Sequence, residues 1–319
     1  MASGWAPDRN PIELADGTLI CERHRQIICY ICCCDYSFVQ ELRNEEEQAA
    51  EDAGNEGLRA FSQAHFGDEL GHSADFLYSA GATPRHPTAM NSSVSRDGSE
   101  IPFASGSIPS MTKFVPPRST DSPSMIFQGA HRFIRRTNPH EILIYTDGAC
   151  LSNGLANPRG GCGLIVSPTH KVNFRLENTG PTDEPHPQTS NRAELRAVIA
   201  ALQHRYWQGD CMGAWTRLVI ATDSEYVVLG ATERIRGWNT RGRRTNAGKP
   251  VKNQDLWKKL IHEIQKLDEP QTFMQPPHGT SVSFWRIPRE WNEDADAEAK
   301  KGAELEDVQR YTEILGVMI

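Results

Sequence analysis

Four carboxylates stand where a chain could gather them at one point. Asp147 and Asp223 each close a short apolar run, Ile142-Leu143-Ile144-Tyr145-Thr146-Asp147 and Leu218-Val219-Ile220-Ala221-Thr222-Asp223. Runs of this length, rich in β-branched residues, read as strands buried on both faces. If the two are parallel neighbours, both carboxylates emerge at the same sheet edge, where open α/β sheets hold their ligands. Glu194 falls in the first turn of a helix that places Leu195, Val198, Ile199 and Leu202 on one face, and Asp296 in the first turn of an Ala-rich helix starting at about Asn292. Each acid also has an ordinary reading by itself; Glu194, for instance, could close a capping box with Asn191. A second group, Cys21, His24, Cys29 and Cys32, consists of two short pairs of N/S donors with spacing suited to tetrahedral zinc. The competing reading is a reduced, partly apolar segment (Ile27-Ile28-Cys29-Tyr30-Ile31) that only packs.

The elements that would carry these residues occupy the C-terminal half. Gly160–Ser167 and Lys171–Glu177 read as strands joined by a hairpin at Pro168-Thr169-His170. A helix carries Trp257, Leu260, Ile261 and Ile264, and Val282–Ile287 reads as a last strand before Pro288. The order is βββαβ, a helical stretch, then βα, which makes an α/β fold with a mixed sheet flanked by helices. Upstream the texture differs. Residues 1–80 are Cys-rich and then acidic, with seven acids and one Arg between Glu41 and Glu56. Residues 83–125 hold seven Pro and ten Ser with few large apolar side chains, so 81–138 is expected as a disordered linker. The expected domains are 1–80, a small module; 81–138, the linker; 139–306, the catalytic unit, able to fold alone; and 307–319, a tail.

Composition bounds the function. The 319 residues are 38% hydrophobic and 24% charged, and no apolar run approaches the ~20 residues of a spanning helix. A membrane protein is therefore not expected. The first twenty residues hold one Arg and no apolar core, which predicts neither a secretory signal nor a transit peptide. Eight Cys, five of them between Cys21 and Cys34, read as reduced thiols in a nuclear or cytoplasmic protein that is not secreted. The net charge of -7 argues against nucleic acid, yet from Arg234 to Lys259 nine basic residues face one acid, Asp255. Such a patch could serve a polyanion, or could be a solvated helical face.

Taken together, Thr146-Asp147-Gly148-Ala149-Cys150, Asn191-Arg192-Ala193-Glu194-Leu195, Ala221-Thr222-Asp223-Ser224-Glu225-Tyr226-Val227 and Asn292-x-x-Ala295-Asp296 resemble the type 1 ribonuclease H family. The likeness covers 139–305 and includes Trp238 to Trp257, which looks like that family's basic protrusion. The resemblance implies a ribonuclease H-like five-stranded mixed sheet with its first three strands antiparallel. It implies Asp147, Glu194, Asp223 and Asp296 as catalytic acids holding two Mg²⁺ ions, with Mn²⁺ able to substitute. The residue types suit that role, since crowded carboxylates need hard cations to neutralise them. Two such ions can activate water and stabilise a leaving 3′-oxygen, leaving a 5′-phosphate. The implied substrate is an RNA–DNA hybrid cut in its RNA strand by a monomeric domain. By the same resemblance, Gly148, Cys150, Asn153, Ser190 and Asn191 would line the RNA strand, where 2′-hydroxyls distinguish RNA from DNA. Thr189 would face a DNA phosphate, and Trp238, Arg241, Arg243, Arg244 and Lys252 the protrusion's strand.

Three features depart from the family pattern. Glu225 stands where a neutral residue is usual, and Ser190 where bacterial members carry Asn. The loop Pro288-Arg289-Glu290-Trp291-Asn292 lacks the His that many members place before the last acid; the nearest upstream, His278, lies too far back to reach the metals. Other readings are a non-catalytic nucleic-acid binder and a nuclease of this fold acting on another duplex. Retention of all four acids favours catalysis, because clustered negative charge does not help a binder of phosphates. Any protein partner of the N-terminal region is not legible.

Overall fold

A computed structural model of the protein describes residues 11–15, 18–21, 24–29, 34–35, 109–209, 215–270 and 279–316. Of the N-terminal region it describes two antiparallel ladders, β1 (Pro11–Glu13) with β2 (Leu19–Cys21), and β3 (Ile28–Cys29) with β4 (Cys34–Asp35). Among the described residues no helix is long and apolar enough to cross a membrane.

The expected linker is the main correction. Its first part, 81–108, lies outside the described residues, but from residue 109 the chain is structured. Here lie β5 (Met111–Lys113), a helical turn α1 (Pro123–Ile126), β6 (Phe127–Gln128) and β7 (Phe133–Arg135). The Pro and Ser content hid a few well-placed apolar side chains. Phe114 and Phe127 lie against Trp285, with ring centroids 4.8 and 6.4 Å away, and Ile126 joins them in a cluster with Leu143, Val219, Ala221 and Ile287.

The sheet follows. β8 (Asn138–Leu151), β9 (Arg159–Ser167) and β10 (His170–Arg175) are antiparallel, while β11 (Arg217–Thr222) and β12 (Ser281–Arg286) are parallel to β8. This is the expected five-stranded mixed sheet with its first three strands antiparallel, in the order β10-β9-β8-β11-β12. It is enlarged to eight strands, because β5 adds in parallel to β12 and β6-β7 pairs onto the start of β8. One face buries Ile142, Ile144, Leu218, Ile220, Val282 and Phe284 under α2 (Ser190–Gln203) and α5 (Gln254–Asp268). The other buries Leu143, Val219 and Ala221 under the 109–135 segment. Burial on both faces explains why β8 and β11 read as unbroken apolar runs.

Between β11 and α5 lie α3 (Glu225–Leu229) and α4 (Ile235–Thr240), and the last helix is α6 (Glu293–Glu304). Gly163 on β9 lets α6 lie directly on the sheet, since a Cβ there would overlap the backbone of Ala295 and Ala299. The expected tail is a strap. Asn178 and Thr179 donate to the carbonyls of Val308 and Gln309 at 2.8 and 3.0 Å, and Gly316 to that of His204 at 2.6 Å. Beneath it Arg196 is fully buried, donating to Glu177 at 2.8 Å and to the Thr312 carbonyl at 2.6 Å, between the rings of Phe174 and Tyr311. The unit 139–306 therefore leaves out packing at both of its ends.

Candidate active site

The register of β8 and β11 ends with Tyr145 opposite Ala221, so Asp147 and Asp223, two residues further on, emerge together at the carboxyl edge. Gly148 then brings α2 close, because a side chain there would overlap the Glu194 backbone nitrogen. Helix α2 is capped by Thr189, whose hydroxyl accepts from the Arg192 amide at 3.2 Å. No capping box with Asn191 is formed, and the Glu194 carboxylate instead accepts from the Ser224 hydroxyl at 2.5 Å. Asp296 arrives in the first turn of α6. The structure thus brings together all four acids expected from sequence.

Their charges are unevenly balanced. Asp147 is buried; its Oδ1 accepts from the Gly148 amide at 2.8 Å, and its Oδ2 has no hydrogen-bond partner among the described residues. Burial, then the Asp223 charge, push its pKa well above the usual carboxylate range; Arg289 opposes this, and Asp296 and Glu194 add to it. Burial acts on Asp296 in the same direction, but Arg289 and Lys300 outweigh it and hold that carboxyl below its ordinary value. Arg289 donates to Asp296 at 3.1 Å and lies 3.8 Å from Asp223, and Lys300 contacts Asp296 at 2.5 Å. Among the described residues no three His, Cys, Asp or Glu side chains form a ready-made metal cage. Here Arg289 and Lys300 supply the positive charge.

Asn292, buried just before α6, donates to Asp223 at 2.8 Å and to the Thr146 carbonyl at 3.1 Å. It fixes the last helix to both central strands. In the sequence Asn292 stands in the Asn-x-x-Ala-Asp motif, whose spacing does not disclose this role. Arg289, Lys300 and Ser224 join the site from positions that no spacing of the acids marks. A basic residue in a loop that leads into one of the four motif acids is the available signal. His278 lies outside the described residues.

Of the residues expected along the substrate, Cys150 is buried, with its thiol donating to the Gln188 carbonyl at 3.5 Å. Asn153 is buried and its Nδ2 lacks a partner, leaving a donor unsatisfied at this edge. Ser190 is buried, and Asn191 and Thr189 are half-buried beside Glu194. Glu225 is paired with Arg286 at 3.2 Å, which offsets the unexpected acid.

The basic segment projects from α4 to α5. Trp238 is buried against Trp257, ring centroids 5.4 Å apart, and serves as the segment's core. Arg241, Arg244 and Lys252 are exposed and Arg243 half-buried. Backbone carbonyls hold two of them, Arg241 donating to Arg244 at 3.3 Å and Arg244 to Gly248 at 2.6 Å. The lone acid, Asp255, faces inward to a two-bond pair with buried Arg192 at 2.9 and 2.6 Å. Burial raises its pKa, but the Arg192 bonds outweigh this and lower it. The outward positive charge is thus left uncompensated by Asp255. In the N-terminal group, Cys21 Sγ and His24 Nδ1 are 3.6 Å apart. The side chain of Cys29 and the whole of Cys32 lie outside the described residues.

Comparison with known proteins agrees with this geometry. The chain is 33% identical over 162 residues to ribonuclease H1 of Homo sapiens, covering 51% of this chain and 50% of that one. To ribonuclease H of Cupriavidus metallidurans it is 39% identical over 165 residues, 51% of this chain and 94% of the other. To that of Thermosynechococcus vestitus it is 42% identical over 121 residues, 38% of this chain and 69% of the other. It spans about half the length of the mammalian relatives it matches. The RNase H family model matches residues 139–304, more than half of the sequence and all four acids, and this chain belongs to the RNase H family.

Proposed function

We propose that the protein is an endonuclease that hydrolyses the RNA strand of RNA–DNA hybrids, using divalent cations held by Asp147, Glu194, Asp223 and Asp296. The observation that carries this is Asp147 Oδ2, a buried carboxylate oxygen without a partner among three further carboxylates. An all-oxygen donor set of this kind suits Mg²⁺. When bound, two such ions would supply a polarised water and neutralise charge developing on the phosphate.

The chain's own residues do the rest. Ser224 and Asn292 hold the Glu194 and Asp223 carboxylates in place. Arg289, which contacts Asp296 and lies 3.8 Å from Asp223, offsets the charge of the cluster in the resting protein. It is held protonated by Asp223, Asp147 and Asp296 against the effect of burial. The unsatisfied amide of Asn153, with the Gly148 backbone, Ser190 and Asn191, would read 2′-hydroxyls. Thr189 and the exposed Arg241, Arg244 and Lys252 would track the DNA strand by its phosphates.

The deciding experiment is cleavage of a labelled hybrid beside matched DNA and RNA duplexes, with and without Mg²⁺. Cutting of the RNA strand in the hybrid alone, dependent on the metal and lost in Asp147→Asn, supports the reading. Equal cutting of double-stranded RNA would replace it. Metal analysis of the reduced full chain tests separately whether Cys21, His24, Cys29 and Cys32 hold zinc.

A further inference from the structure

A cleft of about 420 Å³ opens beside the catalytic edge, walled by Phe133, Tyr145 and Trp291 and rimmed by Glu290, Glu293 and Asp294. Its volume is in the range of sites that take small ligands or single side chains. The three rings are only half-buried, and Phe133 and Tyr145 meet edge to face with centroids 5.4 Å apart. Glu290 and Glu293 are exposed and make no ion pair among the described residues; Asp294 is paired with Lys171 at 2.8 Å.

Ring faces and carboxylates select a cation and repel a phosphate, so this cleft does not extend the nucleic-acid surface. A planar guanidinium satisfies both parts at once: it stacks on aromatic faces and presents forked donors to carboxylates. A compact, strongly hydrated ammonium uses the rings less well. Glu290 lies on the exposed turn before α6 and Glu293 is the first residue of that helix, where a passing chain could reach them. Phe133 comes from β7, outside the 139–304 family match, so this wall belongs to the part of the chain that the family does not share.

We propose that the cleft is a docking site for an arginine-bearing basic segment of a partner polypeptide. Asn292 lines the same cleft and donates to Asp223 at 2.8 Å, so the docked side chain would sit one residue from the catalytic edge.

The test is fluorescence anisotropy of the full chain with a labelled Gly-Ser-Arg-Arg-Ser-Gly peptide, beside the same peptide carrying neutral citrulline in place of arginine. The arginine peptide is expected to bind saturably and the citrulline peptide not to bind. Glu290→Gln/Glu293→Gln should weaken binding about tenfold, the sum of two exposed ion pairs. A control double variant at and just beyond the far end of α6, Glu304→Gln/Glu306→Gln, should leave it unchanged. Absence of saturable binding to the wild type overturns the proposal. So does equal affinity of the rim and control variants, which would reduce the effect to general attraction by a chain of net charge -7.

Discussion

Asp147→Asn should leave the metal-free protein more stable than the wild type while ending cleavage. The substitution keeps the Oδ1 that accepts from the Gly148 amide at 2.8 Å. The bare Oδ2 becomes an amide donor among carboxylates, so a repulsive contact turns attractive. Burial and the neighbouring acids raise the folded pKa of Asp147. Such a carboxyl holds its proton more tightly folded than unfolded. Its contribution to stability is complete below the unfolded value of about 3.9 and is lost as pH rises through the folded value. Above the folded value the wild type bears that loss and the variant does not. Relief of this kind is worth about 0.5–2 kcal/mol, which for a folded unit of about 200 residues raises Tm by roughly 1–5 °C. The assay is thermal melting in EDTA followed by tryptophan fluorescence, from about pH 5 to about pH 8. The gap between variant and wild type should widen as pH rises, and added Mg²⁺ should narrow it. A variant that melts at or below the wild type in EDTA near neutral pH, or a gap that ignores pH, would refute the reasoning.

Neutralising Arg241, Arg243 and Arg244 together should weaken hybrid binding and flatten its salt dependence, by about 0.9 in log–log slope for each duplex phosphate the variant no longer neutralises; turnover at saturating substrate should change little. Glu177→Leu strands the fully buried Arg196 charge and should cost about 3–5 kcal/mol in urea unfolding. Adding Arg196→Met should restore most of that, and a double variant as unstable as the single one would show that the pair is not the cause. Fragment 139–306 should melt well below fragment 109–316, because it lacks Phe114 and Phe127 over Trp285 and the strap over Arg196. Equal melting temperatures would make that packing idle.

The central strands and their two Asp residues were legible because β8 and β11 are buried on both faces and leave unbroken apolar runs. Glu194 and Asp296 followed from helical spacing and motif order. Trp238 was misplaced for a physical reason: an aromatic in a basic stretch looks like a stacking platform until its burial against Trp257 is known. The 109–135 segment was missed because β5, β6 and β7 are two or three residues long and gain their stability from pairing with distant strands. Local pattern carries no trace of such pairing. The strap at 307–316 was missed likewise, since it is held by backbone bonds from Asn178 and Thr179.

The placement of β5 also bears on when the domain can finish folding. Met111–Lys113 pairs with Val282–Phe284, about 170 residues later, and the strap joins still later residues to α2. Pairings of such separation form slowly, because a long loop must close before they add stability. During synthesis the antiparallel strands β8, β9 and β10 can assemble early. Strand β12, which joins that sheet through β11, the edge strand β5 that waits for it, and the helix carrying Asp296 can join only when the last part of the chain has emerged. Until then the Phe114 and Phe127 side chains have no Trp285 to cover, and the acid cluster lacks its fourth member. Ordering of the 109–135 segment and completion of the four-acid edge are therefore a single late event in the life of the nascent chain.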